Sequence, residues 1–126
     1  MITSAAQVTA YEIFWVAHAK LFAGKRVLSG WYATDNNGDA VHYADPSAVC
    51  FCSSGAVLVA EYMYKGKFGS IAAAQKVYDA LRAEARILSK DAGMGLVAYN
   101  DSLAYKANDK PIREWWDATS KRQGWL

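Results

Sequence analysis

Between Asp45 and Val57 the chain carries a helix start signal, then a run almost wholly apolar or small: Asp45-Pro46-Ser47-Ala48-Val49-Cys50-Phe51-Cys52-Ser53-Ser54-Gly55-Ala56-Val57. Asp45 can cap a helix, because its short carboxylate accepts from the free backbone N–H groups of a first turn. Pro46 suits the first helical position, where its missing N–H costs nothing. From Ala48 to Ala60 only Ser53 and Ser54 are polar, so no side is marked for solvent. A helix that is apolar all round must be buried. The pattern therefore predicts a helix over 46–63 at the centre of a small domain.

The flanking segments supply what such a centre needs. Over 6–23, Val8, Tyr11, Phe14, Trp15, His18, Leu21 and Phe22 recur at helical spacing, and Gly24 ends the stretch. Residues 31–43 change period around Asn36-Asn37-Gly38-Asp39, and Asn-Gly is the strongest short hairpin signal. With Asn37-Gly38 as the turn, Thr34 faces Val41 and Tyr32 faces Tyr43. Gly66 and Gly69 punctuate the next loop, and Ser70 is the expected cap of an amphipathic helix bearing Ala74, Val77, Tyr78, Leu81, Ala85 and Leu88 on one stripe. Leu96–Tyr99 reads equally as strand or helix, and Asn100 to Lys110 as polar and irregular. Pro111 opens a last helix, after which Trp125 either docks or the tail frays. The expected fold is α+β and mostly helical, with about four helices around a buried central helix and one small antiparallel β-hairpin. At 126 residues, 1–126 is one domain with no internal boundary.

A net charge of +2 with scattered basic residues gives no reason to expect nucleic acid. Gln7, Glu12, His18 and Lys20 interrupt the stretch from Ala5 to Leu21, so no membrane span or membrane partner is expected. Met1-Ile2-Thr3-Ser4 has no basic region of secretory type. Cys50 and Cys52 on one helix would point about 200° apart, a poor disulfide pair. These features point to a reduced, cytoplasmic protein. No C-x₂₋₄-C pair accompanies an H-x₃₋₅-H pair, and the Asp35, Asp39 and Asp45 region lacks the calcium-loop spacing. Neither a metal nor a cofactor is expected.

Four sets of residues could carry chemistry or binding. Cys52 is a nucleophile only if a base or positive charge lowers its pKa; otherwise it is a small buried side chain, with Gly55 and Ala56 letting a neighbour approach. His42, on the hairpin, is a better base for it than His18, which lies on an apolar stripe. Asn100 and Asp101 could orient such a histidine or hold a polar ligand, or they could cap the local backbone. The aromatics come last. Trp115 and Trp116 diverge by about 100° on one helix, so one of them is expected to face solvent. Exposed tryptophan marks interaction surfaces. Tyr32, Tyr43, Trp116 and Trp125 are the expected partner-binding residues.

Taken together, Gly30-Trp31, the segment Cys52-Ser53-Ser54-Gly55-Ala56 and the later Tyr99-Asn100-Asp101 resemble a small uncharacterised domain family of actinobacteria and bacteriophages. That family has a Gly-Trp near its start, a Cys-x-x-Gly-Ala helix and a later Trp-Asn-Asp. Here Tyr99 stands where Trp is usual. The resemblance covers roughly residues 28–118 and implies a phage or prophage setting, with no assigned activity to carry over. The expectation is a non-enzymatic accessory protein that binds a host protein in the host cytoplasm, such as a component of a defence system. Self-association into a homodimer through the same surface is a milder form of this. The competing expectations are a cysteine-dependent hydrolase or transferase using Cys52, His42, Asn100 and Asp101, and a small-ligand-binding domain using the same residues without chemistry.

Overall fold

The computed structural model describes residues 7–104 and 108–126. The readings made on Met1–Ser4, on the first residue of the 6–23 stretch, and on the centre of the 100–110 segment lie outside these. The first helix, α1 (Ala10–Ala23), begins where Thr9 and Glu12 cap reciprocally: the Thr9 hydroxyl accepts from the Glu12 N–H, and Glu12 reaches back to the Thr9 N–H. Ile13, Phe14, Ala17 and Leu21 form its buried stripe.

Two short antiparallel strands follow, β1 (Ala33–Thr34) and β2 (Cys50–Phe51), with Ala33 opposite Phe51 and Thr34 opposite Cys50. The strand partner of β1 is thus the segment expected to begin the central helix, and of residues 40–43 an isolated bridge at Ala40 and the Val41 N–H to the Ala33 carbonyl pair with it. Cys50 and Phe51 are buried, and the backbone around them is taken up by the sheet. Val49 donates to the Thr34 carbonyl, Leu28 to that of Phe51, and Cys52 to that of Tyr32. Asp45 caps no helix; its carboxylate accepts from the Ser47 N–H and hydroxyl at 2.8 and 2.7 Å, closing a local turn. A short apolar run is compatible with either a buried strand or a buried helix, and periodicity cannot separate them.

The Asn37-Gly38 signal marks a real reversal but not a two-residue turn. Asp35 closes a wider loop, its carboxylate accepting from the Asn37 and Asp39 N–H groups, and Thr34 bridges to Ala40 instead of Val41. A type I′ turn needs positive φ at both central residues. Gly38 has it, but among the described residues Lys90 is the sole non-glycine that does.

The helix α2 (Ser53–Met63) starts seven residues later than expected and is the centre of the molecule. Ser53 through Val57, Val59 and Ala60 are buried, while Tyr62 and Met63 at its far end are exposed. Gly55 is where the residue before β1 meets it: a Cβ there would overlap the backbone carbonyl oxygen of Tyr32. The helices α1, α3 (Ser70–Ser89) and α4 (Leu96–Ala104) pack on α2, and α5 (Lys110–Gln123) packs on α3 and α4. Gly69, at φ +82°, caps α3 in place of Ser70, which is its first, buried residue. Leu96–Tyr99 is helical, and the helix runs on through Asn100 to Ala104, a stretch expected to be irregular.

The adjacent tryptophans of α5 resolve their divergence by filling two separate contacts. Trp115 donates its indole N–H to the Leu81 carbonyl at 2.9 Å and meets the edge of Tyr99. Trp116 turns the other way, donates to the Ser53 hydroxyl at 3.1 Å and packs on Phe14. Both are 0% exposed, so neither faces solvent. The tail docks: the Trp15 indole donates to the Trp125 carbonyl at 2.7 Å. A further clamp joins α3 to α5, where the buried Glu84 carboxylate accepts from Arg122 Nε at 2.6 Å. No described helix is long and apolar enough to cross a membrane.

Candidate functional site

The first turn of α2 must satisfy its unpaired N–H groups inside the core. Asn100, reaching from α4 and 1% exposed, shares this with Cys52. Its Oδ1 accepts from the Ser53 N–H at 3.0 Å and the Ser53 hydroxyl at 2.7 Å, and its Nδ2 donates to the Leu28 carbonyl at 2.8 Å. The Cys52 sulfur accepts from the Gly55 N–H at 3.3 Å, so the cysteine caps its own helix. Through Ser53 the network extends to the Trp116 indole. One buried polar knot therefore ties α2, α4, α5 and the Leu28 segment together.

Asp101 stands at the edge of this knot, half-buried. Its Oδ1 accepts from the Gly30 N–H and from Asn100 Nδ2, both at 3.3 Å. Beyond it opens a cleft of about 390 Å³ lined by Gly30, Trp31, Tyr32, Cys52, Val97 and Asp101. Trp31 is 62% exposed and Tyr32 54%, whereas Cys52 is 6% exposed and forms part of the wall. Among the expected site residues, the cleft gathers Cys52, Asp101 and Tyr32, with Asn100 directly behind. Trp31 and Val97 complete its wall, beyond the contact residues expected from the sequence. The sequence carries no signal that separates Trp31 from the other tryptophans, since the expected hairpin gives it a place on one side of a ribbon.

His42 is not in this cleft. It lines a different cavity, of about 480 Å³, with Tyr43, Leu58, Glu61, Tyr62 and Lys65 among its neighbours. The His42 Nδ1 accepts from the Ala44 N–H at 3.0 Å, and its ring lies 4.2 Å from that of Tyr43. His18 belongs to an aromatic cluster with Trp15 and Phe22, and burial holds its pKa below the ordinary value; Asp117 opposes this shift and Arg113 adds to it. Neither histidine lines the Cys52 cleft. Burial also pushes the Cys52 thiol up from its ordinary value, against the N–H groups of Gly55 and Ser54, and the Asp101 carboxylate pushes it further. A cysteine nucleophile needs the opposite environment. Asn100 spends both ends of its amide in the core and has nothing left to orient a base. The arrangement does not assemble a Cys-His-Asn site.

The expected contact residues divide in the same way. Tyr32 is exposed at the cleft, and Tyr43 is half-buried at the other cavity. Trp116 lies in the core and cannot meet a partner. Trp125 is half-buried against Phe14. A second exposed apolar set, Met63, Phe68 and Ile71, marks the corner between α2 and α3. Among the described residues no three His, Cys, Asp or Glu side chains converge as metal ligands would. Compared with models of protein families, with curated proteins and with solved structures, the chain matches none.

Proposed function

We propose that this chain is a non-catalytic binding protein that captures a host protein through the cleft walled by Trp31, Tyr32 and Val97. The observation that carries the reading is the exposure of two adjacent large aromatics beside a fixed carboxylate. Large aromatics in solvent cost hydrophobic free energy unless a partner covers them, and tryptophan and tyrosine are the residues most often found at the energetic centre of interfaces. The phage or prophage setting, and a host defence component as the target, rest on the resemblance of Gly30-Trp31, the Cys52–Ala56 segment and Asn100-Asp101. Of these, Gly30, Trp31, Cys52 and Asp101 line the cleft and Asn100 lies directly behind it. The raised thiol pKa and the distant His42 weigh against the enzyme reading.

The test is affinity capture from an actinobacterial host lysate with the wild-type chain, Trp31→Ala and Tyr32→Ala. Truncating a hot-spot aromatic costs at least about 2 kcal/mol of binding, a loss of roughly 30-fold in affinity. Both variants should lose the captured protein while melting at the wild-type temperature, because neither side chain is in the core. Failure of the wild type to capture any specific protein, or equal capture by all three chains, rules the reading out. Substituting Phe68 and Ile71 with serine should leave capture intact, and loss of capture there would move the contact to the α2–α3 corner.

A further inference from the structure

We propose that the cleft is a receptor for one arginine side chain of the partner, a specificity that rests on the binding reading above. Asp101 supplies the charge. Its Oδ1 is held by two N–H donors, from Gly30 and Asn100, while its Oδ2 makes no hydrogen bond among the described residues. The carboxylate is therefore aimed and half free, on a helix whose preceding residue is locked in the core. None of the six lining residues carries a positive charge, and Cys52 and Val97 make the rest of the wall uncharged. A carboxylate in partly apolar surroundings attracts a cation more strongly than one in open water.

The aromatics select among cations. Trp31 and Tyr32 present exposed rings beside the carboxylate, and ring faces attract cations, tryptophan most strongly. A guanidinium is planar and weakly hydrated, stacks on such rings and still offers N–H donors to a carboxylate, whereas an ammonium is a compact, strongly hydrated point charge. A volume of about 390 Å³ is near the small end of ligand sites and has room for one long side chain. The cavity around His42 offers no such selection, since both Lys65 and Glu61 line it.

The probe is a short capped peptide, Gly-Arg-Gly, titrated into the ¹⁵N-labelled full chain and followed by heteronuclear NMR. Its control is the same peptide with citrulline, which keeps the shape of arginine and removes the charge. The arginine peptide should move the Gly30 and Asp101 amides and the Trp31 indole N–H. Citrulline, or the variant Asp101→Asn, should weaken binding at least tenfold. Asparagine keeps the Oδ1 that accepts from Gly30 and Asn100, so the fold is retained, and wild-type chemical shifts outside the cleft check this. Equal response to both peptides, or no response of the cleft to either, overturns the proposal. If Asp101→Asn still captures the host protein while Trp31→Ala does not, the arginine assignment fails and the binding reading stands. If no variant or wild type captures anything yet the arginine peptide binds, the reverse holds.

Discussion

Replacing Asn100 tests whether the buried knot, and not apolar packing alone, holds α2, α4 and the Leu28 segment together. In Asn100→Ala three groups lose their partner: the Ser53 N–H, the Ser53 hydroxyl proton and the Leu28 carbonyl. Ser53 is 0% exposed and Leu28 2%, so bulk water does not reach them. Each orphaned buried group costs about 1–3 kcal/mol. A water entering the vacated space can rescue part of this, because the site is polar enough to hold one. The net expectation is a loss of about 3–5 kcal/mol. For a domain of this size that is a fall of roughly 10–20 °C in melting temperature, read by circular dichroism or tryptophan fluorescence. Asn100→Leu separates the causes: it fills the volume and leaves the same groups unpaired, so it should rescue little. A fall of less than about 3 °C in Asn100→Ala, or recovery of most of the stability in Asn100→Leu, would refute the argument.

Three further outcomes follow from the same geometry. Gly55→Ala forces a Cβ into the Tyr32 carbonyl, and backbone cannot swing aside as a side chain can, so urea denaturation should show a loss of about 3 kcal/mol, the upper end for overpacking; a variant within about 1 kcal/mol of wild type would contradict the close approach. At mildly acidic to neutral pH, alkylation of Cys52 should be slower in the folded chain than in denaturant, because burial and Asp101 both raise its pKa, and Asp101→Asn should speed it. Peptide-level mass spectrometry showing equal labelling in native and denatured chains would count against this. His18 has a lowered folded pKa, so the stability it lends is present above its ordinary 6.5 and is lost as pH falls through the folded value. Wild type should therefore lose more melting temperature than His18→Phe between neutral pH and about pH 5, and parallel losses would remove His18 as the cause.

Much of the architecture was legible in the residues because it is local or periodic. The helical runs of α1 and α3 with their buried Phe14, Leu21, Ala74, Val77, Leu81 and Ala85, Pro111 opening α5 and the apolar middle of the chain follow from spacing and from single-residue backbone chemistry. Tyr11 and Leu88, expected on the same stripes, are exposed, and Ile13 and Ala17 take the buried places on α1. The mostly helical α+β class follows from the same spacing. The candidate site was legible in part: Cys52, Asn100 and Asp101 drew attention as types, and the fold does bring them together. Their roles were not legible. Whether an asparagine orients a base or caps a helix depends on what lies opposite, and the opposing Ser53 and Leu28 are 47 and 72 residues away in sequence.

What only the tertiary structure decided is where long-range pairing overrides a local signal. Cys50-Phe51 satisfies the requirements of a buried helix and of a buried strand equally, and the choice fell to strand because Ala33-Thr34 offered it a ladder. The Asn37-Gly38 register shifted because Asp35 could close a wider loop and Thr34 was already committed on its other side. Trp115 and Trp116 looked unable to share a core, yet α5 lies between two packing partners and buries both, which no pattern along one helix can reveal. Trp31, by contrast, looked no different from the other tryptophans and is the one left in solvent. Sequence sets which side chains prefer to leave water. Only the assembled fold, with its finite interior, determines which of them can.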